Sequence, residues 1–214
     1  GMVRLVFDLR RNGGGFLEAA CFIAQQFLQD GQLIVYTEGR SRPRQDIVVQ
    51  GEGPLRNIPL VVLVDEFSAS SSEIVAGAMQ DNDRALIVGR RTFGKGLVQR
   101  PIEFSDGSMI RLTIAHYYTP SGRCIQKPYK KGDLKDYEMD LENRLKHGEL
   151  TNPDSIHFSD SLKYYTLHKH RVVYGGGGIM PDYFVPLDTM KFTRFHRQLA
   201  AKNIIIDAYL KYAD

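Results

Sequence analysis

The sequence predicts an α/β fold whose main sheet is largely parallel. Residues 5–89 contain apolar strand-like runs and amphipathic segments in the order strand, helix, strand, strand, helix, strand. This rhythm is typical of parallel sheets, because a helix carries the chain back before the next strand begins. Farther along, an Asp-Gly pair at 106–107 lies between two alternating runs and predicts an antiparallel hairpin.

The first strand and helix come at the start of the chain. "LVFDL" at 5–9 is a short apolar run followed by "RRNGGG", which predicts a strand and then a turn. Residues 16–30 predict a helix that ends at Gly31. The residues at helical spacing in this segment are Phe16, Ala20, Ile23, Phe27 and Leu28.

The next elements surround a cluster of serines. "QLIVYTE" at 32–38 and "IPLVVLVDE" at 58–66 predict two strands, the second of them buried. A helix is expected over 70–81, and "RALIVG" at 84–89 predicts the next strand. The apolar side of that helix consists of Ile74, Val75, Ala78 and Met79.

The second half of the chain is less regular. We interpret residues 1–126 as a core that ends in the hairpin, and 127–170 as an insertion or lobe with short helical pieces around 135–147. Residues 171–214 then return to the core. They begin with a strand that enters "GGGG" and end in an amphipathic helix over 188–212.

Composition excludes several classes of function. A net charge of +3 with both signs interspersed does not indicate a nucleic-acid-binding protein, and the basic stretch 127–133 is better explained as a solvated loop. Cys21 and Cys124 belong to no Cys/His pattern that predicts a metal site. The sequence contains no run of about 18 apolar residues, so it does not predict a membrane span. "GMVRLVFDLR" enters a strand almost at once, so we expect an excised, N-terminally truncated fragment.

The segment "SASSSE" at 68–73 has two interpretations. Ser70 and Glu73 satisfy the S-x-x-E capping box, which is a structural role that requires no chemistry. The cluster also follows a buried strand and precedes a helix. A hydroxyl at such a turn lies at the sheet's edge, where the helix N-terminus favours a developing anion.

A serine nucleophile needs a base, and Lys95 is a candidate. A lysine acts as a base only when neutral, so the pKa of such a group must fall by roughly 3 from about 10.4, which burial can achieve. Lys95 lies between Gly94 and Gly96, and glycines permit a close backbone approach. An ordinary surface lysine in a glycine turn is the alternative.

Taken together, these motifs resemble the C-terminal processing peptidases, or tail-specific proteases, which use a Ser-Lys dyad. The matching segments are Ser68 to Glu73, Gln80-Asp81, "ALIVG", "TFGKG" with Gln99, "DLRRNGGG", "YYTPSGRCIQ" and "GGGGIMPD". The resemblance covers residues 3–126 closely and 171–186 again. It implies a fold like that of the crotonases and Clp peptidases, with strand-strand-helix units.

The resemblance also implies roles for particular residues. Ser70 would be the nucleophile, Lys95 the general base, and Gln99 the side chain that positions the lysine amine. The oxyanion donors would be the backbone N–H of Ser71 and that of Gly14 or Gly15, and Asp81 would support the structure. The chain departs from the family pattern at Ser71, commonly alanine, at Gly13, commonly proline, and at His116, usually arginine.

Two other functions remain open. A Ser-His-Asp triad could draw on six histidines, but no G-x-S-x-G segment accompanies them. A catalytically inert peptide-binding or scaffold domain of the same fold is the second, and truncation could also inactivate the fragment.

By resemblance, the parent protein cleaves polypeptide substrates with accessible C-terminal tails and needs no metal or organic cofactor. A PDZ domain in the parent chain and a location in the cell envelope or periplasm are likewise implied by the family.

Overall fold

The computed structural model describes residues 1–129, 132, 134–189, 193, 195, 198, 199, 202, 204, 207, 208 and 211. Its strands are β1 (Leu5–Asp8), β2 (Leu33–Gly39), β3 (Arg42–Val48), β4 (Leu60–Val64), β5 (Leu86–Gly89), β6 (Leu97–Glu103), β7 (Met109–Tyr118), β8 (Lys163–Tyr165), β9 (Val172–Tyr174) and β10 (Tyr183–Phe184). Its α-helices are α1 (Leu17–Gln25), α2 (Ser71–Asp81) and α3 (Leu134–Lys146), and short 3-10 turns cover Pro153–Ser155 and Asp160–Leu162.

The predicted parallel sheet is present. Its strands lie in the order β1-β4-β5-β10, and every neighbouring pair is parallel. β10 follows the "GGGG" stretch at 175–178 in the return segment. The C-terminal part of the chain thus completes a sheet that the N-terminal part begins. The α/β class and the largely parallel sheet are therefore confirmed.

A second sheet is antiparallel, with the order β3-β2-β7-β6. The predicted hairpin is β6 and β7. The predicted strand at 32–38 is β2 and belongs to this sheet, not to the parallel one. Strand β3 was not predicted because its sequence, "RPRQDIV", is mostly polar and contains Pro43. Such a sequence suits an edge strand, whose outer side needs no further partner.

Helix α2 lies at the centre of the molecule. Every one of its residues is buried, and it contacts α1, β2 and β5. The sequence predicted one apolar side, but the polar side is buried as well. Buried polar groups are stable only when they are hydrogen-bonded, and the Ser, Glu, Gln and Asp side chains of α2 all have such partners.

The insertion contains α3, both 3-10 turns and β8, which pairs with β9 of the return segment. This hairpin adjoins the C-terminal end of α2, where the Leu167 N–H donates to the Asp81 carbonyl at 2.8 Å. The predicted helix over 188–212 lies mostly outside the described residues. None of the helices in the described part of the chain is both long and apolar enough to cross a membrane.

Candidate active site

Ser70 lies in the turn between β4 and α2, as the N-cap of the helix. Its backbone has φ 57° and ψ −117°. A positive φ is uncommon for a residue with a Cβ and is a form of strain that recurs at functional sites. A strained strand-to-helix turn is also how hydrolases of another fold expose a serine nucleophile.

The other three serines of the cluster hold the glycine loop that follows β1. Each of their hydroxyls donates to a backbone carbonyl of residues 9–15. The bonds are Ser68 Oγ to Leu9 O at 2.8 Å, Ser71 Oγ to Gly15 O at 2.8 Å and Ser72 Oγ to Asn12 O at 3.0 Å. Among the described residues, the Ser70 hydroxyl makes no such bond to this loop. Three serines of the cluster therefore have a structural role, whereas Ser70 differs in its positive φ and, for the residues described, in the absence of a bond to the loop.

The glycine loop lies directly against Ser70. A Cβ placed on Gly14 would lie 2.6 Å from Ala69 O, 2.8 Å from Ser70 Cβ and 2.8 Å from Ser71 N, so no larger residue fits at this position. The Gly14 N–H donates to Asn12 Oδ1 at 2.9 Å. Within the described chain, the N–H groups of Gly15 and Ser71 have no hydrogen-bond acceptor.

Glu73 connects the serine turn to the Lys95 turn. It forms the predicted capping box with Ser70, and its Oε2 accepts the Ser70 N–H at 2.9 Å. The same oxygen accepts the Lys95 N–H at 2.8 Å, while Oε1 accepts from the Gly94 N–H at 2.7 Å and the Thr92 hydroxyl at 2.5 Å. One carboxylate oxygen thus holds the backbones of Ser70 and Lys95.

The environment of Glu73 is unusual for a carboxylate. Its side chain is fully buried, and within the described structure it has no ionic partner. Burial raises the pKa of Glu73, while the hydrogen bonds from Thr92, Lys95, Gly94 and Ser70 oppose that rise. Four donors around one buried side chain make the joint between the two turns rigid.

The glycine after Lys95 is required by packing. A Cβ on Gly96 would lie 2.6 Å from the backbone nitrogen of Gln126, so only glycine lets segment 124–127 pass. The Gly96 N–H donates to Gln126 Oε1 at 2.9 Å, and the Lys127 N–H donates to Gly94 O at 2.9 Å. These bonds hold the turn to segment 124–127, as Glu73 holds it to the Ser70 turn.

The Lys95 side chain is half-buried and lines a cavity of about 960 Å³. In the part of the chain that the structure describes, its ammonium forms no salt bridge. Gln99, an exposed residue on β6, lines the same cavity, and so does His116 on the neighbouring strand β7. The structure therefore places Lys95 and Gln99 in one cleft.

Asp81 lies at the opposite end of α2 from Ser70, about 16 Å along the helix axis. It forms a buried ion pair with Arg123 at 2.6 Å, and it accepts the Ser121 N–H at 3.0 Å. These contacts join the end of α2 to the turn after β7. The structure does not bring Asp81 to the Ser70 turn.

No metal site is visible in the ranges that the structure describes, since no group of three or more His, Cys, Asp or Glu is arranged to hold an ion. Of the described histidines, His116 alone lines the Lys95 cavity. His168 lies elsewhere, with its Nε2 3.3 Å from Gln32 Nε2.

Sequence reasoning missed part of this site. Glu73 was identified only as a helix-capping residue, and Thr92 was not singled out. The S-x-x-E motif was a usable signal for Glu73, but its bonds to Gly94 and Lys95 join positions 21 and 22 residues apart. No local pattern indicates contacts of that kind.

Comparison with known proteins gives a family match over most of the chain. The model of peptidase family S41 matches residues 1–138. A carboxyl-terminal-processing protease of Synechocystis sp. is 41% identical over 161 residues, which cover 75% of this chain and 36% of that protein. The chloroplastic carboxyl-terminal-processing peptidase 1 of Arabidopsis thaliana is 46% identical over 121 residues, which cover 56% of this chain and 25% of that protein.

A solved structure agrees with these matches. The photosystem II D1 C-terminal processing protease superposes with a TM-score of 0.59 at 30% sequence identity, covering 87% of this chain and 35% of that one. The chain thus spans roughly a third or less of the length of the curated relatives described above.

Proposed function

This chain belongs to peptidase family S41, and from that premise we propose that it is the catalytic part of a serine endopeptidase that cleaves polypeptides near their C-termini. Ser70 is the nucleophile and Lys95 is the general base. The family match confirms the resemblance found in the sequence.

The observation that carries the proposal is the position of Glu73. Its Oε2 accepts the N–H groups of both Ser70 and Lys95, at 2.9 and 2.8 Å. A nucleophile and its base must be held close together before reaction, and a shared buried carboxylate is a rigid way to hold two backbones. Capping does not conflict with catalysis, because a hydroxyl that accepts a capping bond keeps its proton to donate.

The oxyanion donors in this proposal are the backbone N–H groups of Ser71 and Gly15. Ser71 is the first residue of α2, so its N–H points out of the helix N-terminus. The Gly14 N–H already donates to Asn12, which favours Gly15 as the second donor. Two preorganised donors at a helix N-terminus would stabilise the negative charge that develops on the substrate carbonyl oxygen.

The reaction then proceeds in two stages. Neutral Lys95 takes the proton of the Ser70 hydroxyl while Oγ bonds to the substrate carbonyl carbon. Lys95 passes that proton to the leaving amine as the C–N bond breaks, which leaves an ester on Ser70. Water next attacks the ester, Lys95 takes a proton from the water and returns it to Oγ, and the new C-terminus leaves.

Supporting roles follow from position. Gln99 shares the cavity with Lys95, and we assign it to orient the amine. Asp81 holds the far end of α2 and does not touch the reacting atoms. Substrates with accessible C-terminal tails, a PDZ domain elsewhere in the protein and an envelope or periplasmic location belong to the same proposal.

The test uses full-length protein and a polypeptide substrate with a free C-terminal tail. Ser70→Ala and Lys95→Ala should each lower kcat by at least about a thousandfold, because each removes a reacting group. Lys95→Arg should lower it as much, because an arginine cannot give up its proton. Ser161→Ala and Lys163→Ala replace exposed residues of the insertion and are the matched controls. The thermal midpoint should stay nearly constant in all five variants.

The pH profile tests the base separately. Cleavage should speed up as pH rises, because the neutral amine is the active form. A rate that does not change between about pH 5 and pH 9 would contradict a lysine base, and cleavage by Ser70→Ala would assign the nucleophile elsewhere. No cleavage by the wild-type protein under any condition would favour the inert peptide-binding alternative.

A further inference from the structure

The cavity beside Lys95 is large. Its volume, about 960 Å³, is near the upper end of the range of about 300–1,000 Å³ that ligand pockets occupy. This volume is far larger than the space that a lysine amine needs to reach one serine hydroxyl. The cavity therefore has room for part of a substrate.

Four segments line this cavity, and one of them, with Cys124 and Gln126, lies just before the insertion. The Lys95 turn forms its floor with Phe93 and Leu97, and the β6–β7 hairpin forms one side. The other side comes from the start of the insertion, through Pro128, Tyr129, Leu134 and Tyr137. Tyr129 and Leu134 are 56% and 57% exposed, which is high for large apolar side chains that line a cavity.

Lys127 fastens the insertion to the Lys95 turn. Its ammonium is buried, donates to the Tyr137 carbonyl at 3.0 Å and pairs with Asp140 at 3.2 Å. It also lies 4.3 Å from the ring centroid of Phe93 and 4.1 Å from that of Tyr137, in cation–π contact. A single cation thus joins helix α3 to the residue two positions before Lys95.

Arg144, near the end of α3, makes a second attachment. Its buried guanidinium donates to the carbonyls of Arg91 and Thr92 at 2.6 and 3.1 Å. Two attachments along one helix keep α3 in a fixed position beside the Lys95 turn. The insertion is therefore part of the cleft and not a detached lobe.

We propose that the described start of the insertion, with Pro128, Tyr129, Leu134 and Tyr137, forms a wall of the substrate cleft, and that the cavity it closes takes a bulky apolar side chain of the substrate residue next to the scissile bond. This inference rests on the proposed function, because Lys95 belongs both to the dyad and to the cavity. Lys95 lines the cavity, and Glu73 Oε2 holds its backbone together with that of Ser70, so a residue next to a carbonyl attacked by Ser70 would direct its side chain toward this cavity.

The chemistry of the lining decides which side chain fits. An acidic side chain would pair with Lys95 and keep it protonated, so that it could not act as a base. A basic side chain would meet Lys95 and Lys127, and the described lining contains no carboxylate to neutralise it. Aromatic or large aliphatic side chains gain from the rings of Phe93, Tyr129 and Tyr137 without either penalty.

The experiment compares two leucines of α3 in full-length protein. Leu134→Trp partly fills the cavity, whereas Leu145→Trp adds the same bulk at a residue that is 48% exposed and does not line it. Two peptide series carry Phe, Leu or Ala, one just before and one just after the scissile bond. The readouts are kcat/KM with Ser70 present and, with Ser70→Ala in the background, the affinity for fluorescently labelled peptides.

Wild type should prefer Phe and Leu to Ala in one series. Leu134→Trp should lower the Phe-to-Ala ratio at least about tenfold in both kcat/KM and affinity, while Leu145→Trp leaves it unchanged. If cleavage depends on Ser70 but the ratio is the same in all three proteins, the inference is wrong and the proposed function stands. The inference is also wrong, and the proposed function still stands, if Leu134→Trp slows all substrates equally or shifts only the thermal midpoint. Either result is expected if the cavity holds another part of this chain.

If no peptide is cleaved, the proposed function fails and the binding ratio alone decides the inference. A ratio that drops in Leu134→Trp and not in Leu145→Trp would support a side-chain site in an inert protein. An unchanged ratio would overturn it.

Discussion

Glu73 serves both the start of a helix and the proposed catalytic site. It accepts four hydrogen bonds while fully buried, two of them from the backbone N–H groups of Ser70 and Lys95. A carboxylate suits this position because its two oxygens only accept, and every neighbour donates.

Glu73→Gln should therefore damage both stability and activity. The amide NH2 of glutamine would face N–H and O–H donors, and each donor left unpaired in the core costs about 1–3 kcal/mol. The Ser70 and Lys95 turns would also separate, which should lower kcat about a hundredfold even where the variant is folded. Urea unfolding and peptide cleavage measure the two effects.

The matched control at this scale is Glu103→Gln, at an exposed glutamate on β6. It should change the free energy of unfolding by no more than about 0.5 kcal/mol. Equal effects of the two substitutions would show that the buried bonds of Glu73 do not hold the site.

At the scale of the elements, the turn before β6 depends on close backbone packing. Gly96 lies against the segment 124–127, with no space for a methyl group. Gly96→Ala should destabilise the protein by about 1–3 kcal/mol, because the nearest atom is a backbone nitrogen that cannot rotate away. Chemical denaturation would measure this loss.

Gly13→Ala is the comparison for that prediction. A Cβ on Gly13 meets no atom within 4 Å, and its φ is not in the left-handed region. The substitution should leave stability unchanged or raise it by up to about 1 kcal/mol, since alanine restricts the unfolded chain. If Gly96→Ala is tolerated as well as Gly13→Ala, the Lys95 turn is looser than its contacts indicate.

The elements themselves could be predicted to different degrees. The apolar runs of β1, β4 and β5 and the Asp106-Gly107 hairpin carry signals within a few residues, and all four are present. β3 gave no such signal because its polar sequence is that of an edge strand. The sheet to which β2 belongs could not be predicted either, because an apolar run does not specify its partner strands.

At the scale of the whole molecule, buried charges join the central helix to the turn that follows the antiparallel sheet. Asp81 ends the central helix, and Arg123 follows β7 of the antiparallel sheet. Arg123 is 1% exposed and also donates to the Gln80 side chain and to the Tyr174 carbonyl. Helix α2, the turn after β7 and strand β9 therefore meet at one guanidinium.

Asp81→Asn should destabilise the molecule by about 3–5 kcal/mol, because it leaves Arg123 buried without its counter-ion. Asp46→Asn breaks an exposed pair with Arg44, at 2.6 Å, and should cost at most about 1 kcal/mol. Urea unfolding compares the two variants. Below its melting temperature, Asp81→Asn should keep the kcat of the wild type, and a large loss of kcat in the folded variant would place Asp81 in the reaction instead.

The sequence by itself determined the α/β class, most strand and helix positions, the family and the residues proposed as nucleophile and base. These depend on local periodicity and on short motifs, which neighbouring residues specify. Only the tertiary structure decided that Glu73 joins the two turns, that three of the clustered serines hold the glycine loop, and that the insertion closes a cavity beside Lys95. Such contacts join residues far apart in the chain, and they arise from the packing of complete elements, which no local pattern specifies.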